Sequence, residues 1–477
     1  MNWRGIIKAL GSLNGILGIL MLTVPITDVA LGSPVSFPFL YASIILILIG
    51  IFSSGIEAKP LSLIDSLVVV AIAWPMISIE GAIVLMYTID IPFIDALFES
   101  VSGFTGTGFT VLKGLDYMKP SINFWRSLMQ WSGELGFVVF AMVIFPYFYR
   151  IGRAVYGLER PVKIETSFYK TAVSLIKIYI TLTLIGLVSY VYTGMTFYEA
   201  VNHILTTIAT GGMSTYDAGY QVIFDRAPLT YIPVMIFMFI GGMNFYLIAK
   251  AFKGEWDALI KSEEFKAYWS SMLILVIATT FSYIFVEKYD VTYSLIAAPF
   301  NLISGMTTTG YSIGSLAVLK DTTKVIITIS MFIGGMMFST AGGIKSIRLL
   351  IAAKKFKDIV VRSIFSAPVE RYITVDGNIV DSEDIMSALT FILMHGTIIL
   401  TGALLMTVYG YSFVDTLFEA TSAAGCVGLS VGIVGPQAPF GVKVVIIFLM
   451  LLGRLEYAQL ILVLSLIYSR KMLRMLY

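Results

Sequence analysis

Four short stretches of the chain share one make-up: a glycine, a bulky apolar residue, then Ser or Thr. They read Thr107-Gly108-Phe109-Thr110, Gly211-Gly212-Met213-Ser214, Thr309-Gly310-Tyr311-Ser312 and Val427-Gly428-Leu429-Ser430, preceded by Gly106, Thr210, Thr308 and Cys426, and they recur about every hundred residues. What they have in common is backbone rather than a reactive side chain. Glycine adopts positive φ without strain, so successive carbonyls of such a strip can face one side. Four strips from one chain can close a ring of carbonyl oxygens that replaces a cation's hydration shell. Coordination of a permeating cation is the chemistry this pattern suits.

Strips of this kind must be held at membrane depth. Hydrophobic residues make up 57% of the 477 positions and charged ones 13%, against roughly 25% charge in soluble domains. The chain is therefore an integral membrane protein. Apolar stretches long enough to cross a bilayer, about 20 residues each, lie near 6–25, 37–56, 61–87, 122–148, 168–193, 229–250, 266–286, 322–352, 385–409 and 440–468. Ahead of each strip sits a half-length amphipathic segment, such as Phe93 to Glu99 and Phe413 to Glu419. Phe197, Glu199 and His203, and Asn301 and Ser304, hold matching offsets in the other two. Behind each strip a glycine recurs inside the next span: Gly133, Gly241, Gly334 and Gly453. The unit is helix, short re-entrant helix, glycine strip, helix, repeated four times after an extra helix pair.

Irregular backbone at membrane depth survives only where it lines water or is buried in protein. Short helices aimed C-terminus first at a pore would add roughly half a negative charge each, which favours cations. Close packing through small residues explains a lone glycine pair but not four aligned cassettes. The expected fold is all-α and polytopic, with four helix–pore loop–helix repeats around a pseudo-fourfold pore.

Charge placement orients the chain. Arg4, Lys8 and Lys59, the runs Arg150 to Lys170, Lys250 to Lys266 and Lys345 to Arg371, and Arg470 to Arg474 fall on one side if the N-terminus is cytoplasmic. The loops around Asp28, Asp116, Asp217, Asp290 and Asp321 are poorer in base. That is a positive-inside pattern for ten spans with both termini cytoplasmic. The lone Cys426 excludes an internal disulfide and a cysteine-based zinc site.

Two features lie below the strips. Residues 322–357 as one helix would be about 54 Å long, far more than a hydrocarbon core of about 30 Å. Gly334, Gly335, Ser339, Thr340, Ala341, Gly342, Gly343 and Lys345 fill its middle, which makes a break with an intramembrane loop the economical reading. Arg454 sits deep in the last span, where a charge costs several kcal/mol unless it meets water or a partner. Glu134 takes the same place in the first repeat that Arg454 takes in the fourth, with Gly242 and Gly335 in the other two. First and fourth repeats are neighbours in a closed ring, so the two side chains are expected to meet.

These strips, the Ser339 to Lys345 phrase and Arg454 resemble those of the Trk/Ktr/HKT superfamily of potassium uptake membrane subunits, over nearly the whole chain. The extra helix pair resembles the Trk branch. The resemblance implies an extra pair at 1–58 and pore repeats at 59–160, 161–262, 263–372 and 373–477. It implies potassium as the permeant ion, with no cofactor held by the chain and no nucleic-acid partner. It also implies a homodimer in the cytoplasmic membrane, with a cytosolic Trk-type regulatory subunit that binds NAD, ADP or ATP. The 334–345 loop would act as a gate beneath the filter, and Arg454 would contact it. In plant relatives a Ser at the first filter glycine accompanies sodium preference; here that residue is Gly108. The family pattern has glycine where Glu134 stands.

A secondary ion-coupled transporter with glycine-broken helices is the alternative, but it predicts two inverted repeats rather than four of one sense. No HExxH and no Gly-x4-Gly-Lys-Ser/Thr is present, so neither zinc proteolysis nor ATP hydrolysis is supported. His203 and His395 read as packed residues, and Glu99 and Glu419 as anchors of their short helices. Glu80 is expected near the outer end of its span. The Asp376-Gly377 pair predicts a small hairpin from Ile373 to Val380.

Overall fold

The computed structural model describes residues 1–144, 168–365 and 372–457. Most of the basic run from Arg150 to Lys170, Arg371, and Arg470 to Arg474 fall outside the described residues.

The chain opens on Trp3–Met21 and Thr23–Ala30, followed by Phe37–Ser54 running back alongside. Small residues make that pairing tight. A Cβ on Gly15 would stand 3.0 Å from the Gly50 Cα, and one on Gly18 would stand 2.8 Å from the Ser43 carbonyl. Close backbone approach of this kind replaces the hydrophobic effect as the force between helices in lipid.

Four repeats follow, each with an outer helix, a pore helix and an inner helix. The outer helices are Leu63–Ile89, Phe168–Tyr192, Glu263–Phe281 with a π-helical turn at Ser282–Val286, and Ser382–Thr407. The pore helices are Phe93–Phe104, Phe197–Ile208, Val291–Met306 and Phe413–Ala424. Twelve residues, the length of three of them, reach only about 18 Å, so these helices enter the membrane without crossing it. Thr196, Asp290 and Ser412 cap the later three by accepting backbone N–H bonds. The N–H groups of Thr292 and Tyr293 hold the Asp290 carboxyl below its ordinary range.

The inner helices differ from one another. The first, Pro120–Ile144, runs unbroken. The second, expected as one span over 229–250, is instead two pieces, Tyr231–Gly241 and Phe245–Phe252, bent by 107°. Gly241 and Gly242 loosen the first piece, and the Asn244 side chain starts the second by accepting from Tyr246 and Leu247 N–H at 2.9 and 3.3 Å. The third stops at Asp321–Ile333 and resumes at Ser346–Phe365, with a non-helical loop over 334–345. The fourth, expected to run to 468, ends at Phe440–Arg454, with positive φ at Glu456 and Tyr457.

Among the described residues six helices are long and apolar enough to cross a membrane on their own, or seven if the bent pair counts as one span. The remaining inner helices carry the interruptions above or, in the first, the polar residues Asn123, Arg126, Gln130 and Glu134. Glu80 lies well inside its helix rather than at the outer end, against Asn14 of the first helix. The hairpin forms as expected: Thr374 pairs with Ile379 and Val375 with Asn378 around Asp376 and Gly377, both at positive φ.

Candidate functional site

Each pore helix ends in the same turn. The backbone N–H groups of Thr107, Gly211, Thr309 and Val427 donate to the carbonyls of Ser102, Thr206, Ser304 and Ser422, at 2.8–2.9 Å in all four. Left-handed φ at Gly106, Thr210, Thr308 and Cys426, and again at Gly108, Gly212, Gly310 and Gly428, alternates with negative φ at the residue between. That alternation turns neighbouring peptide units the same way instead of to opposite sides, as a strand would.

The four strips meet in a closed cycle. A Cβ on Gly108 would strike the Gly211 carbonyl oxygen, one on Gly212 that of Thr309, one on Gly310 that of Val427, and one on Gly428 that of Thr107. Each glycine thus packs on the carbonyl that precedes the next glycine around the ring. Any side chain at these positions would displace an oxygen of its neighbour. The bulky residues that follow, Phe109, Met213, Tyr311 and Leu429, are buried behind the strips. Tyr311 bonds Thr206, and Ser102 donates to the Phe109 carbonyl at 2.7 Å.

One position of the pore helix ties each strip on its outward course, through glutamate in the first and fourth repeats, histidine in the second and asparagine in the third. Glu99 accepts from Thr110 at 3.0 Å, and Glu419 accepts from Ser430 at 2.6 Å and from Val431 N–H at 3.0 Å. His203 bonds Ser214 through Nε2 at 3.1 Å, and Asn301 accepts from Ile313 N–H at 2.8 Å. His395 is packed against Tyr457, its hydrogen-bond partner. The glutamates are therefore structural anchors within the fold.

Beneath the strips, the 334–345 loop fastens to three of the four repeats. Thr340 donates to the carbonyls of Ile208 and Gly241 at 3.1 and 2.9 Å and meets Thr210 Oγ1 at 3.2 Å. Gly342 N–H donates to Thr308 Oγ1 at 2.8 Å, and a Cβ on Gly342 would strike the Gly425 carbonyl. Gly334 and Gly343 cross so closely that a Cβ on Gly343 would stand 2.7 Å from the Gly334 Cα. The bend at Gly242 matters here, because Met336 N–H donates to the freed Gly242 carbonyl at 2.9 Å. Gly335 accepts from Ser346 N–H at 2.9 Å, Ser339 donates to Met336, and Lys345 reaches the Ala341 carbonyl. Buried Glu264 accepts from Met337 N–H at 2.6 Å and so holds the loop from the outer helix of its own repeat.

The remaining repeat is closed by an ion pair. Arg454 and Glu134, both buried, bond directly, and Arg454 also donates to the Gly133 carbonyl at 3.0 Å. The Glu134 carboxylate lies where a Cβ of Gly106 would be. Glu456 turns to Arg348 instead, at 2.5 Å.

Two residues on the first inner helix were not singled out by sequence. Arg126 donates to Glu99 at 2.7 Å and to the Ser214 carbonyl at 2.7 Å. Gln130 donates to the Gly211 carbonyl at 2.7 Å and accepts from Met213 N–H at 3.0 Å. Their spacing with Glu134, one helical turn apart each time, was the available signal.

Four re-entrant loops from one chain, joined in a ring of backbone carbonyls, define a membrane protein of the pore-loop class. The chain belongs to the TrkH family of cation transport proteins, whose model matches residues 35–474. It is 29% identical over 479 residues, covering 99% of this chain and 97% of the relative, to an uncharacterized cation transporter of Methanocaldococcus jannaschii. It is 30% identical to the Trk system potassium uptake protein TrkH of Vibrio parahaemolyticus, covering 98% and 99% of the two chains. The crystal structure of the potassium transporter TrkH from Vibrio parahaemolyticus superposes with a TM-score of 0.87 at 26% identity, over 97% of this chain and 99% of that one.

Proposed function

We propose that this chain takes up potassium across the cytoplasmic membrane, with the strips around Gly108, Gly212, Gly310 and Gly428 as its selectivity filter. The observation that carries the reading is the closed cycle in which each filter glycine packs on a carbonyl of the next strip. Backbone oxygens held in a ring replace the hydration shell of a large monovalent cation without adding a fixed charge. The names of the relatives, potassium uptake proteins, agree with that chemistry.

In this reading the repeats divide near 59–160, 161–262, 263–372 and 373–477, after the extra pair at 1–58. The 334–345 loop is the gate, and the Glu134–Arg454 pair sets the charge below the filter. Both termini are cytoplasmic. The working unit is a homodimer that docks a cytosolic Trk-type regulatory subunit binding NAD, ADP or ATP. The test is potassium and sodium flux in proteoliposomes for the parent chain, for Gly108→Ser and for a chain with a shortened 334–345 loop. Potassium-selective flux that relaxes towards sodium in Gly108→Ser and rises in the shortened chain is the expected result. Unchanged selectivity in Gly108→Ser removes the glycine strips from the mechanism.

A further inference from the structure

Aligned on Gly133, Gly241, Gly334 and Gly453, the four inner helices present Gln130, Met238, Met331 and Met450 at one position. One turn earlier they present Arg126, Val234, Ile327 and Ile446. All eight are buried. Three repeats therefore place a flexible apolar side chain behind the filter, and one repeat places an amide there.

The strip next to that amide is also exceptional. Ahead of the filter glycine, strips one, three and four carry the β-branched residues Thr107, Thr309 and Val427; strip two carries Gly211. The methylated side chains stiffen their strips by restricting χ1. Two of them are further tied by hydroxyl bonds, Thr105 to Thr107 and Thr307 to Thr309, each at 2.8 Å. Gly211 has no such restraint. The space where its Cβ would stand is filled by Gln130, with Oε1 and Nε2 at 2.5 and 2.6 Å from that point. From there Gln130 holds the strip on both sides of Gly212, through the Gly211 carbonyl and the Met213 N–H.

We propose that Gln130 is a selectivity-determining positioning residue, which replaces from the inner helix the side chain that strip two lacks. It fixes the direction of the Gly211 carbonyl, one of the four oxygens in the ring. The proposal rests on the carbonyl-ring reading given above. Gly211 has a φ outside the left-handed region, so a β-branched residue there is compatible with the backbone, and the two solutions are interchangeable. A methionine at 130 would make the first inner helix like the other three, and a threonine at 211 would make strip two like strips one and three.

The experiment measures the potassium-to-sodium permeability ratio in proteoliposomes for Q130M, G211T, the double variant G211T/Q130M and Gly108→Ser. Q130M is expected to lower the ratio about fivefold, the size of one net hydrogen bond of about 1 kcal/mol. G211T alone also lowers it, because threonine and Gln130 compete for one volume. The double variant returns the ratio to within about twofold of the parent, a recovery that general loss of packing would not produce. An unchanged ratio in Q130M, or a double variant no better than Q130M, overturns the proposal. Should Q130M fail to assemble, the double variant decides alone: a parental ratio supports the proposal and a fivefold loss overturns it. Relaxed selectivity in Gly108→Ser beside a normal Q130M removes only the role of Gln130. No change in either removes the carbonyl ring itself.

Discussion

The layer of glycine strips and the layer directly beneath it are built on opposite principles. In the upper layer, four strips of different sequence make the same turn, with one N–H···O bond at 2.8–2.9 Å and glycines packed on neighbouring carbonyls. Beneath it, no two inner helices behave alike: one is continuous, one is bent by 107°, one gives way to a loop and one stops at Arg454. A closed ring demands equal backbones, so side chains are free to vary wherever they only brace those backbones, as Glu99, His203, Asn301 and Glu419 do. The layer below has no such demand. A single chain can place one loop and one ion pair there, which four identical subunits cannot do.

The sharpest way to break that contrast is to disturb the symmetric layer. Gly428→Ala would put a Cβ onto the Thr107 carbonyl at a φ of +88°. Backbone strain of about 1–3 kcal/mol falls on the ring itself, and potassium flux is expected to drop at least about tenfold. Gly396→Ala, in an outer helix with nothing within 4 Å of its Cβ, should leave flux unchanged. Equal losses in the two variants would deny the ring any special status.

The asymmetric layer is tested by its ion pair. Arg454→Met leaves Glu134 buried without its counter-charge, a change worth about 3–5 kcal/mol, seen as a lower unfolding midpoint in detergent. Adding Glu134→Gly removes the stranded charge and should recover most of that loss. A double variant no more stable than the single one would show that the pair is held by geometry rather than by charge. The smallest expected effect is Asn244→Ala, which removes the cap of the bent second inner helix. It should cost about 1 kcal/mol in thermal stability, while the potassium-to-sodium flux ratio stays at the parent value.

The same contrast explains what could be read from sequence. Four cassettes were legible because the symmetric layer repeats its backbone requirement, and glycine is the residue that records it. The third break was legible because four glycines and a 36-residue stretch, 322–357, cannot make one helix in a membrane. The second break was missed: Gly241-Gly242 sits inside an apolar run, and the telling residue is Asn244, a cap that only marks a helix start once the preceding helix is known to have stopped. The end of the last helix at Arg454 was missed for a similar reason, since apolar composition continues past it. The Glu134–Arg454 contact was reached by aligning repeats, because both sit at the one offset where the others have glycine. Gln130 is harder to read, because an amide among Met238, Met331 and Met450 gains its meaning only from the missing side chain at Gly211 on a neighbouring strip.

The ring also has an order of construction. Lys443 bonds Asp95 at 2.5 Å across 348 residues, and Arg454 meets Glu134 across 320. Translation at about 5–20 residues per second separates the emergence of those partners by tens of seconds. During that interval Asp95 and Glu134 are without these two partners from the fourth repeat. Of these contacts with the fourth repeat, that of Arg454 with Glu134 is the last whose partner emerges, after Gly428, which packs on the Thr107 carbonyl. A chain truncated before the fourth repeat lacks one strip of the ring, and its three remaining strips cannot enclose an ion.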